Sequence, residues 1–145
     1  MKSTDEPKSV RQYSNVYEFK TILLVDDDRQ LAESLQWILA DENFLVDVAH
    51  DGDEAMLKVT ANHYDAVVCD IMMPHMRGDD FYCQTAEIRP ELKSRFVFIT
   101  GFGNDPKLRA FLNTTGEKCL IKPFPMKKLI DCVKGLVEVP ASYCG

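Results

Sequence analysis

Residues 22–28 read ILLVDDD, an apolar run that ends abruptly in three aspartates. A run that does not alternate apolar and polar side chains is typical of a strand buried on both faces of a sheet. Apolar residues then recur at the spacing of one helix face, at Leu31, Leu35, Ile38 and Leu39. The stretch therefore predicts one buried strand followed by one amphipathic helix, which is expected to end near Ala40.

The strand-and-helix pattern recurs four more times along the chain. Short apolar runs mark the further strands, at residues 46–48, 66–69, 96–99 and 119–121. The helices between and after them are predicted to end near Asn62, to run from about Asp80 to Ile88, to end at Gly116 and to stop at Pro140. Strands that alternate with helices indicate an α/β fold, here a doubly wound parallel sheet of five strands with five helices.

Length and composition indicate one globular domain. The chain has 145 residues, of which 46% are hydrophobic and 28% are charged. Residues 1–19 are polar and broken by Pro7, which predicts an N-terminal extension. The folded domain is expected over residues 20–139, with a short C-terminal tail over residues 140–145.

The charge of the chain is negative and unevenly placed. The formal net charge of -6 argues against nucleic acid as a direct partner. Residues 1–102 carry 10 basic and 19 acidic side chains, whereas residues 103–145 carry 7 basic and 4 acidic ones. The C-terminal third therefore either faces an acidic partner or, the interpretation favoured here, uses its lysines to solubilise helix surfaces.

The cysteines and the hydropathy pattern restrict the cellular compartment. Five cysteines without a C-x-x-C pair support neither a disulfide framework nor a zinc site. Cys69 and Cys119 lie in apolar runs and are expected to act as small core residues. The sequence shows neither a secretory h-region nor an apolar stretch of 18 residues. We expect a soluble cytoplasmic protein with no membrane partner.

Polar side chains stand at the carboxyl ends of four predicted strands, where doubly wound folds bind their ligands. They are Asp26, Asp27, Asp70, Thr100 and Lys122. Any one of them could merely cap a helix or be solvated, but five together fit that interpretation poorly. Two carboxylates about 5 Å apart repel by roughly 3 kcal/mol at an effective dielectric near 20, so three of them require a cation. An all-oxygen ligand set favours Mg²⁺.

The remaining strand-end groups suit a phosphoryl group. Lys122 supplies a positive charge for phosphoryl oxygens and Thr100 supplies a hydrogen bond. The five residues together therefore predict a site that transfers phosphate to an aspartate.

Four motifs in register resemble the signature set of response-regulator receiver domains. They are LVDDD at residues 24–28, DIMMP at residues 70–74 with Gly78, Thr100 with Gly101, and KPF at residues 122–124. The resemblance covers about residues 20–139. It implies a flavodoxin-like sheet with strand order 2-1-3-4-5.

The resemblance also implies a role for each site residue. Asp70 is expected to be the phospho-acceptor, and Thr100 and Lys122 to contact the phosphoryl group. Mg²⁺ is expected on Asp27, Asp70 and the backbone carbonyl of Met72, with Asp26 acting through water. The bond between Lys122 and Pro123 is expected to be cis.

As a receiver, the protein is expected to be a signalling phospho-acceptor of a two-component phosphorelay. It would catalyse only its own phosphorylation and slow dephosphorylation. The resemblance implies a sensor histidine kinase or phosphotransfer protein as donor. A downstream protein would dock on the face of helix four, strand five and helix five, and a homodimer is left open.

Four residues stand out against the family pattern or near the site. Cys119 replaces the usual aromatic residue three positions before the lysine, so we expect the signal to reach helix four and strand five by a backbone shift or another side chain. Arg77 stands where an acidic residue is common. Phe102 either shields the phosphoryl group from water or is a plain loop aromatic, and His75 receives no role.

Two other functions remain as alternatives. A haloacid-dehalogenase-type phosphatase would use Asp26 of the D-x-D sequence as nucleophile, but it leaves the loop after Asp70 unexplained, and no acidic pair follows Lys122. An interaction module that no longer takes phosphate conflicts with the intact acceptor, metal and lysine positions. We favour the receiver.

Overall fold

The central sheet consists of five parallel strands. A computed structural model of the chain describes residues 19–138. The strands are β1 (Thr21–Val25), β2 (Leu45–Ala49), β3 (Ala66–Asp70), β4 (Phe96–Thr100) and β5 (Lys118–Ile121). They pair in the order β2-β1-β3-β4-β5, and every pair is parallel. The predicted flavodoxin-like order is confirmed.

A helix follows each strand. The helices are α1 (Arg29–Asp41), α2 (Gly52–Ala61), α3 (Gly78–Ile88), α4 (Pro106–Thr115) and α5 (Met126–Glu138), and a 3₁₀ turn lies at Pro90–Leu92. Helix α3 begins two residues before the predicted start at Asp80. The carbonyl of Arg77 already accepts the amide of Phe81 at 2.9 Å, so the first helical turn includes Gly78.

The helices cover both faces of the sheet, as a doubly wound fold requires. On one face, residues of α2, α3 and α4 pack with alternate strand residues such as Leu23, Val67 and Phe98. On the other face, α1 and α5 pack with Leu24 and Val68. Strands β3 and β4 are buried along their whole length, which explains their unbroken apolar runs.

Helix α1 shows how far the apolar spacing predicted the buried face. Leu35 and Leu39 are fully buried, and Leu31 packs against the same cluster at its edge. Ile38 is half-buried, whereas Ala32 takes a core position that the spacing of large apolar residues did not include. Trp37 lies on the outer side of α1, with 73% of its surface exposed.

Aspartates begin three helices at the carboxyl edge of the sheet. The side chain of Asp28 accepts the amide of Leu31, that of Asp51 accepts Glu54, and that of Asp105 accepts Leu108. Such N-caps satisfy backbone donors that the helix itself leaves unpaired. The caps hold the helix N-termini around the same edge at which the strands end.

Parts of the predicted domain organisation lie outside the described residues. The predicted extension over residues 1–19 is described only at Phe19, and both Pro140 and the predicted tail over residues 140–145 fall beyond residue 138. Within residues 19–138, no helix has the length and apolar character needed to cross a bilayer.

Candidate functional site

The strand register brings the predicted site residues to one edge of the sheet. Asp70 and Thr100 are the last residues of β3 and β4, while Asp26 and Lys122 directly follow β1 and β5. Asp70 pairs in register with Ile99. The amide of Lys122 donates to the carbonyl of Thr100 at 2.8 Å, which extends the pairing of β4 with β5. The site is therefore built on strand ends.

Three carboxylates converge at this edge. Oxygen atoms of Asp26, Asp27 and Asp70 all lie within 4.8 Å of one another. Asp26 and Asp70 are only 1% and 7% exposed, whereas Asp27 faces solvent. Three acidic groups this close repel one another unless a cation neutralises them. The cluster that the sequence predicted is thus present.

The carboxylate of Asp26 is suited to hold a hard cation or its bound water. Its Oδ1 accepts the amide of Asp28 at 2.9 Å. Its Oδ2 is buried and finds no hydrogen-bond donor among residues 19–138. Burial raises the pKa of Asp26, and the amide of Asp28 partly opposes that rise. A buried carboxylate oxygen without a partner is costly, and Mg²⁺ or its bound water is the kind of group that removes this cost.

Asp70 has a perturbed acidity. Burial, followed by the negative charge of Asp26, raises the pKa of Asp70 to about 6, and the charge of Lys122 opposes that rise. The ammonium nitrogen of Lys122 lies 4.0 Å from Oδ1 of Asp70. The amide of Met72 also donates to the carboxylate and lowers its pKa. A divalent cation at this site would favour the ionised form further.

Thr100 and Lys122 flank the carboxylates on the side of β4 and β5. Thr100 is fully buried, and its Oγ1 accepts the amide of Phe102 at 3.0 Å. The hydroxyl hydrogen is therefore free to be donated to an acceptor in the site. The expected cis bond between Lys122 and Pro123 is confirmed.

Gly78 lies directly behind the predicted phospho-acceptor. Its amide donates to the carbonyl of Ile71 at 2.8 Å. A Cβ atom at position 78 would lie 2.3 Å from the backbone oxygen of Asp70 and 3.0 Å from the sulfur of Cys69. The start of α3 thus packs against the Asp70 peptide at a distance that only glycine allows.

A hollow of about 390 Å³ lies between the loops that follow β3 and β4. Met72 lies on one side of it and the loop from Gly101 to Asp105 on the other. Phe102 is 63% exposed and Met72 is 39% exposed. Two exposed apolar side chains therefore border this hollow.

Cys119, which stands where the resemblance implies an aromatic residue, lines a groove. Cys119 is half-buried rather than a full core residue, in contrast to Cys69, which is completely buried as predicted. A groove of about 180 Å³ runs along Cys119, bordered by α4 and by Ile121. Burial raises the pKa of the Cys119 thiol to about 11, so it is an unreactive thiol at neutral pH.

Comparison with known families agrees with this geometry. Residues 22–134 match the family model described as the response regulator receiver domain. The chain belongs to the response-regulator receiver family. The receiver assignment removes the phosphatase alternative, in which Asp26 would have been the nucleophile, because the haloacid-dehalogenase sequence pattern is not what the chain matches.

Individual relatives support the receiver assignment. The response regulator ArlR of Staphylococcus aureus is 28% identical over 117 residues, which are 81% of this chain and 52% of that protein. The receiver domain thus spans about half the length of this curated relative. A CheY-like receiver domain protein from Methanospirillum hungatei is 26% identical with a TM-score of 0.78, covering 88% of this chain and 100% of that one.

A third relative was solved with a ligand. The response regulator TrrA from Thermotoga maritima, in complex with Mg²⁺ and BeF, is 28% identical with a TM-score of 0.71. The alignment covers 81% of this receiver domain and 99% of that chain.

Two features near the receiver site were missed from the sequence. His50, which follows β2, places its Nδ1 3.3 Å from the backbone oxygen of Asp26. The sequence does carry a signal for it, because His50 is a polar residue directly after the apolar positions of β2. Arg77 forms ion pairs with both Asp79 and Asp105. No sequence signal predicted that contact, because it joins two loops that are distant along the chain.

Proposed function

We propose that Asp70 accepts a phosphoryl group from a phosphohistidine of a sensor kinase or phosphotransfer protein. The observation that carries the proposal is the convergence of Asp26, Asp27 and Asp70 within 4.8 Å, in a chain of the receiver family. The ammonium of Lys122, at 4.0 Å from Asp70, adds the positive charge that a phosphoryl group requires.

In the proposed step, a carboxylate oxygen of Asp70 attacks phosphorus while the bond from phosphorus to the imidazole nitrogen of the donor breaks. The imidazole leaves with the electron pair of that bond, and an aspartyl phosphate forms. Asp70 must be ionised to attack, and a pKa of about 6 leaves most of it ionised above pH 7. Later hydrolysis by water returns the carboxylate and inorganic phosphate.

Thr100 and Lys122 have separate tasks in this proposal. The Lys122 ammonium neutralises charge on one phosphoryl oxygen, and the hydroxyl of Thr100 donates a hydrogen bond to another. Both groups are held by the ends of β4 and β5, so they need little reorganisation as the negative charge shifts.

Asp26, Asp27, Asp70 and the carbonyl of Met72 are the proposed ligands of Mg²⁺, with Asp26 acting through water. When bound, Mg²⁺ supplies charge that stabilises phosphoryl oxygens. The buried, unpaired Oδ2 of Asp26 supports a cation at this place. The Mg²⁺ and BeF complex of the Thermotoga maritima relative supports the same assignment for this chain.

The proposed output is a change in the face formed by α4, β5 and α5, to which a downstream protein binds. The groove along Cys119 lies on this face. Phe98 and Thr100 lie two residues apart in β4, so their side chains share one face of the sheet, and the ring of Phe98 lies 5.3 Å from that of Phe111 on α4. Phe98 therefore offers a packing route from the site to α4 that does not need an aromatic side chain at position 119.

The decisive experiment incubates the full chain with Mg²⁺ and acetyl phosphate and measures mass and the phosphorylated residue. We expect one phosphoryl group on Asp70, absent in Asp70→Asn and after chelation of Mg²⁺. Asp65→Asn is the matched control, because Asp65 lies just before the other end of β3, where it accepts the amide of Thr21 at 2.8 Å. Stable labelling of Asp70→Asn at another carboxylate would refute the assignment.

A further inference from the structure

Arg77 joins the N-termini of two helices that flank the site. Its Nε and Nη2 donate to the two carboxylate oxygens of Asp79 at 3.0 and 3.1 Å. The same Nη2 donates to Oδ2 of Asp105 at 2.8 Å, across 28 positions of sequence. The side chains of Arg77, Asp79 and Asp105 are only 22%, 3% and 22% exposed. The three charges therefore form a mostly buried, hydrogen-bonded group.

One end of this ion-pair group is fixed against the proposed phospho-acceptor. Arg77 directly precedes Gly78, whose amide bonds to Ile71 and whose Cα packs against the Asp70 peptide. Asp79 lies in the first turn of α3, where its Oδ1 also accepts the amide of Asp80. The guanidinium thus belongs to the rigid start of α3.

The other end fixes a loop that leads away from Thr100. Asp105 caps α4 through Leu108, and its amide donates to the carbonyl of Phe102 at 3.1 Å. The loop over residues 101–104 contains Gly101 and Gly103, so its backbone has wide conformational freedom. It is attached at Thr100 by the sheet and at Asp105 by the contact to Arg77.

We propose that Arg77 is a positioning residue of the phosphorylation site, which holds the loop over residues 101–104, and with it Phe102, beside Asp70 through Asp105. The inference rests on the proposed function of Asp70. The contact between Arg77 and Asp105 can be removed without breaking the rest of the group, because two hydrogen bonds still pair Arg77 with Asp79. Asp105 can also cap α4 without Arg77.

Two variants break the contact between Arg77 and Asp105 from opposite sides. Asp105→Asn keeps an oxygen that can cap α4 but removes the charge that pairs with Arg77. Arg77→Gln breaks the contact from the other side and leaves the buried Asp79 unpaired. Lys107→Gln is the matched control, because Lys107 pairs with Asp80 at 3.2 Å and joins the same two helices on their exposed surface.

The test phosphorylates the full chain with acetyl phosphate and Mg²⁺, removes the donor, and follows loss of phosphate from Asp70 together with amide exchange of residues 101–105. We expect about fivefold faster loss and faster exchange in Asp105→Asn and in Arg77→Gln, the order of effect when a partly exposed ion pair that orders a loop is broken. The double variant is expected to lose phosphate no faster than Arg77→Gln alone, and Lys107→Gln to match the wild type.

Three results would overturn the inference. In the first, phosphorylated Asp105→Asn loses phosphate and exchanges its loop amides at wild-type rates. Arg77 would then contribute only to the stability of the fold, and the proposed function of Asp70 would stand. Additive effects in the double variant would show that the two residues act separately. A wild-type chain that takes no phosphate on Asp70 would overturn both proposals.

Discussion

The ammonium nitrogen of Lys122 and Oδ1 of Asp70 are 4.0 Å apart, at the ends of two strands that are separated by β4 in the sheet. At this distance the lysine opposes, but does not cancel, the effects of burial and of Asp26 on the pKa of Asp70, which remains near 6. The ionisation of Asp70 near neutral pH is therefore sensitive to pH and to any added cation.

The pKa of Asp70 predicts how stability depends on pH. Because the pKa of Asp70 rises from 3.8 to about 6 on folding, the folded state holds this proton more tightly, so the contribution of Asp70 to stability is most favourable below pH 4 and falls until the pH passes 6. Asp70→Asn lacks this titration. In the presence of a chelator we expect the variant to be more stable by about 3 kcal/mol at pH 7.5 and similar at pH 4.

Denaturant unfolding between pH 4 and pH 8 measures this difference. Lys122→Met serves as a directional control, because loss of its charge raises the pKa of Asp70 and moves the fall in stability to higher pH. A constant difference between the wild type and Asp70→Asn across the range would contradict the prediction.

Removal of Mg²⁺ is predicted to destabilise the protein through the same carboxylates. A cation that binds only the folded state stabilises it by about 1.4 kcal/mol at ten times its dissociation constant. We expect Mg²⁺ to stabilise the wild type by this amount and not to stabilise Asp26→Asn. Calorimetry with Mg²⁺ and with chelator measures the difference in unfolding temperature. Asp65→Asn should keep the full gain, and an equal gain in Asp26→Asn would argue against Asp26 as part of the cation site.

Gly78→Ala is predicted to disturb both the fold and the site. The new methyl group would lie 2.3 Å from the backbone oxygen of Asp70, so β3 or α3 must shift, at a cost of about 2 kcal/mol. Gly135→Ala is the matched control in α5, where an added Cβ would meet no atom within 4 Å other than its own helix backbone and chain neighbours. We expect that change to stabilise by about 0.5–1 kcal/mol, because alanine favours the helix. Equal effects of the two changes would contradict the steric argument.

Phe102→Ala is predicted to shorten the lifetime of the phosphorylated protein. Phe102 follows Thr100 by two residues, its amide donates to Oγ1 of Thr100, and it lines the hollow between the loops after β3 and β4, so its removal is expected to give water a wider approach to the aspartyl phosphate. We expect roughly threefold faster loss of phosphate, a small effect because the ring is already largely exposed. Leu57→Ala removes an equally prominent apolar side chain from α2 and should leave the half-life unchanged.

The effect of the site on α4 and β5 is predicted to survive without an aromatic residue at position 119. With Mg²⁺ and beryllofluoride, we expect altered amide exchange over residues 104–128. Phe111→Leu should weaken that response, because it removes the ring that packs against Phe98 and Tyr82. An unchanged exchange pattern over residues 104–128 in the wild type would show that the signal takes another route.

Much of the site could be predicted because its residues lie at strand ends. The burial of β1, β3 and β4 on both faces appears in the sequence as unbroken apolar runs, and each run ends at the first polar residue. Asp26, Asp70 and Thr100 are those polar residues. Once the strands are known to be parallel, their carboxyl ends must share one edge, and the family resemblance added the order of the strands.

Other parts depend on contacts that no local pattern encodes. The pairing of Arg77 with Asp105 needs the relative position of two loops, and each residue alone resembles an ordinary solvated charge. The early start of α3 depends on the packing of Gly78 against Asp70, whereas glycine after a proline-containing loop usually indicates continued irregular structure. Both features follow from tertiary packing.

The position of Trp37 has a practical consequence for spectroscopy. It is the only tryptophan of the chain, and it lies on the outer side of α1, about two turns beyond the first residue of that helix. Its indole emission should barely respond to events at Asp70, but it should shift when another molecule covers α1. The protein thus carries an intrinsic fluorescent reporter for association on that side, separate from any chemical label at the carboxyl edge.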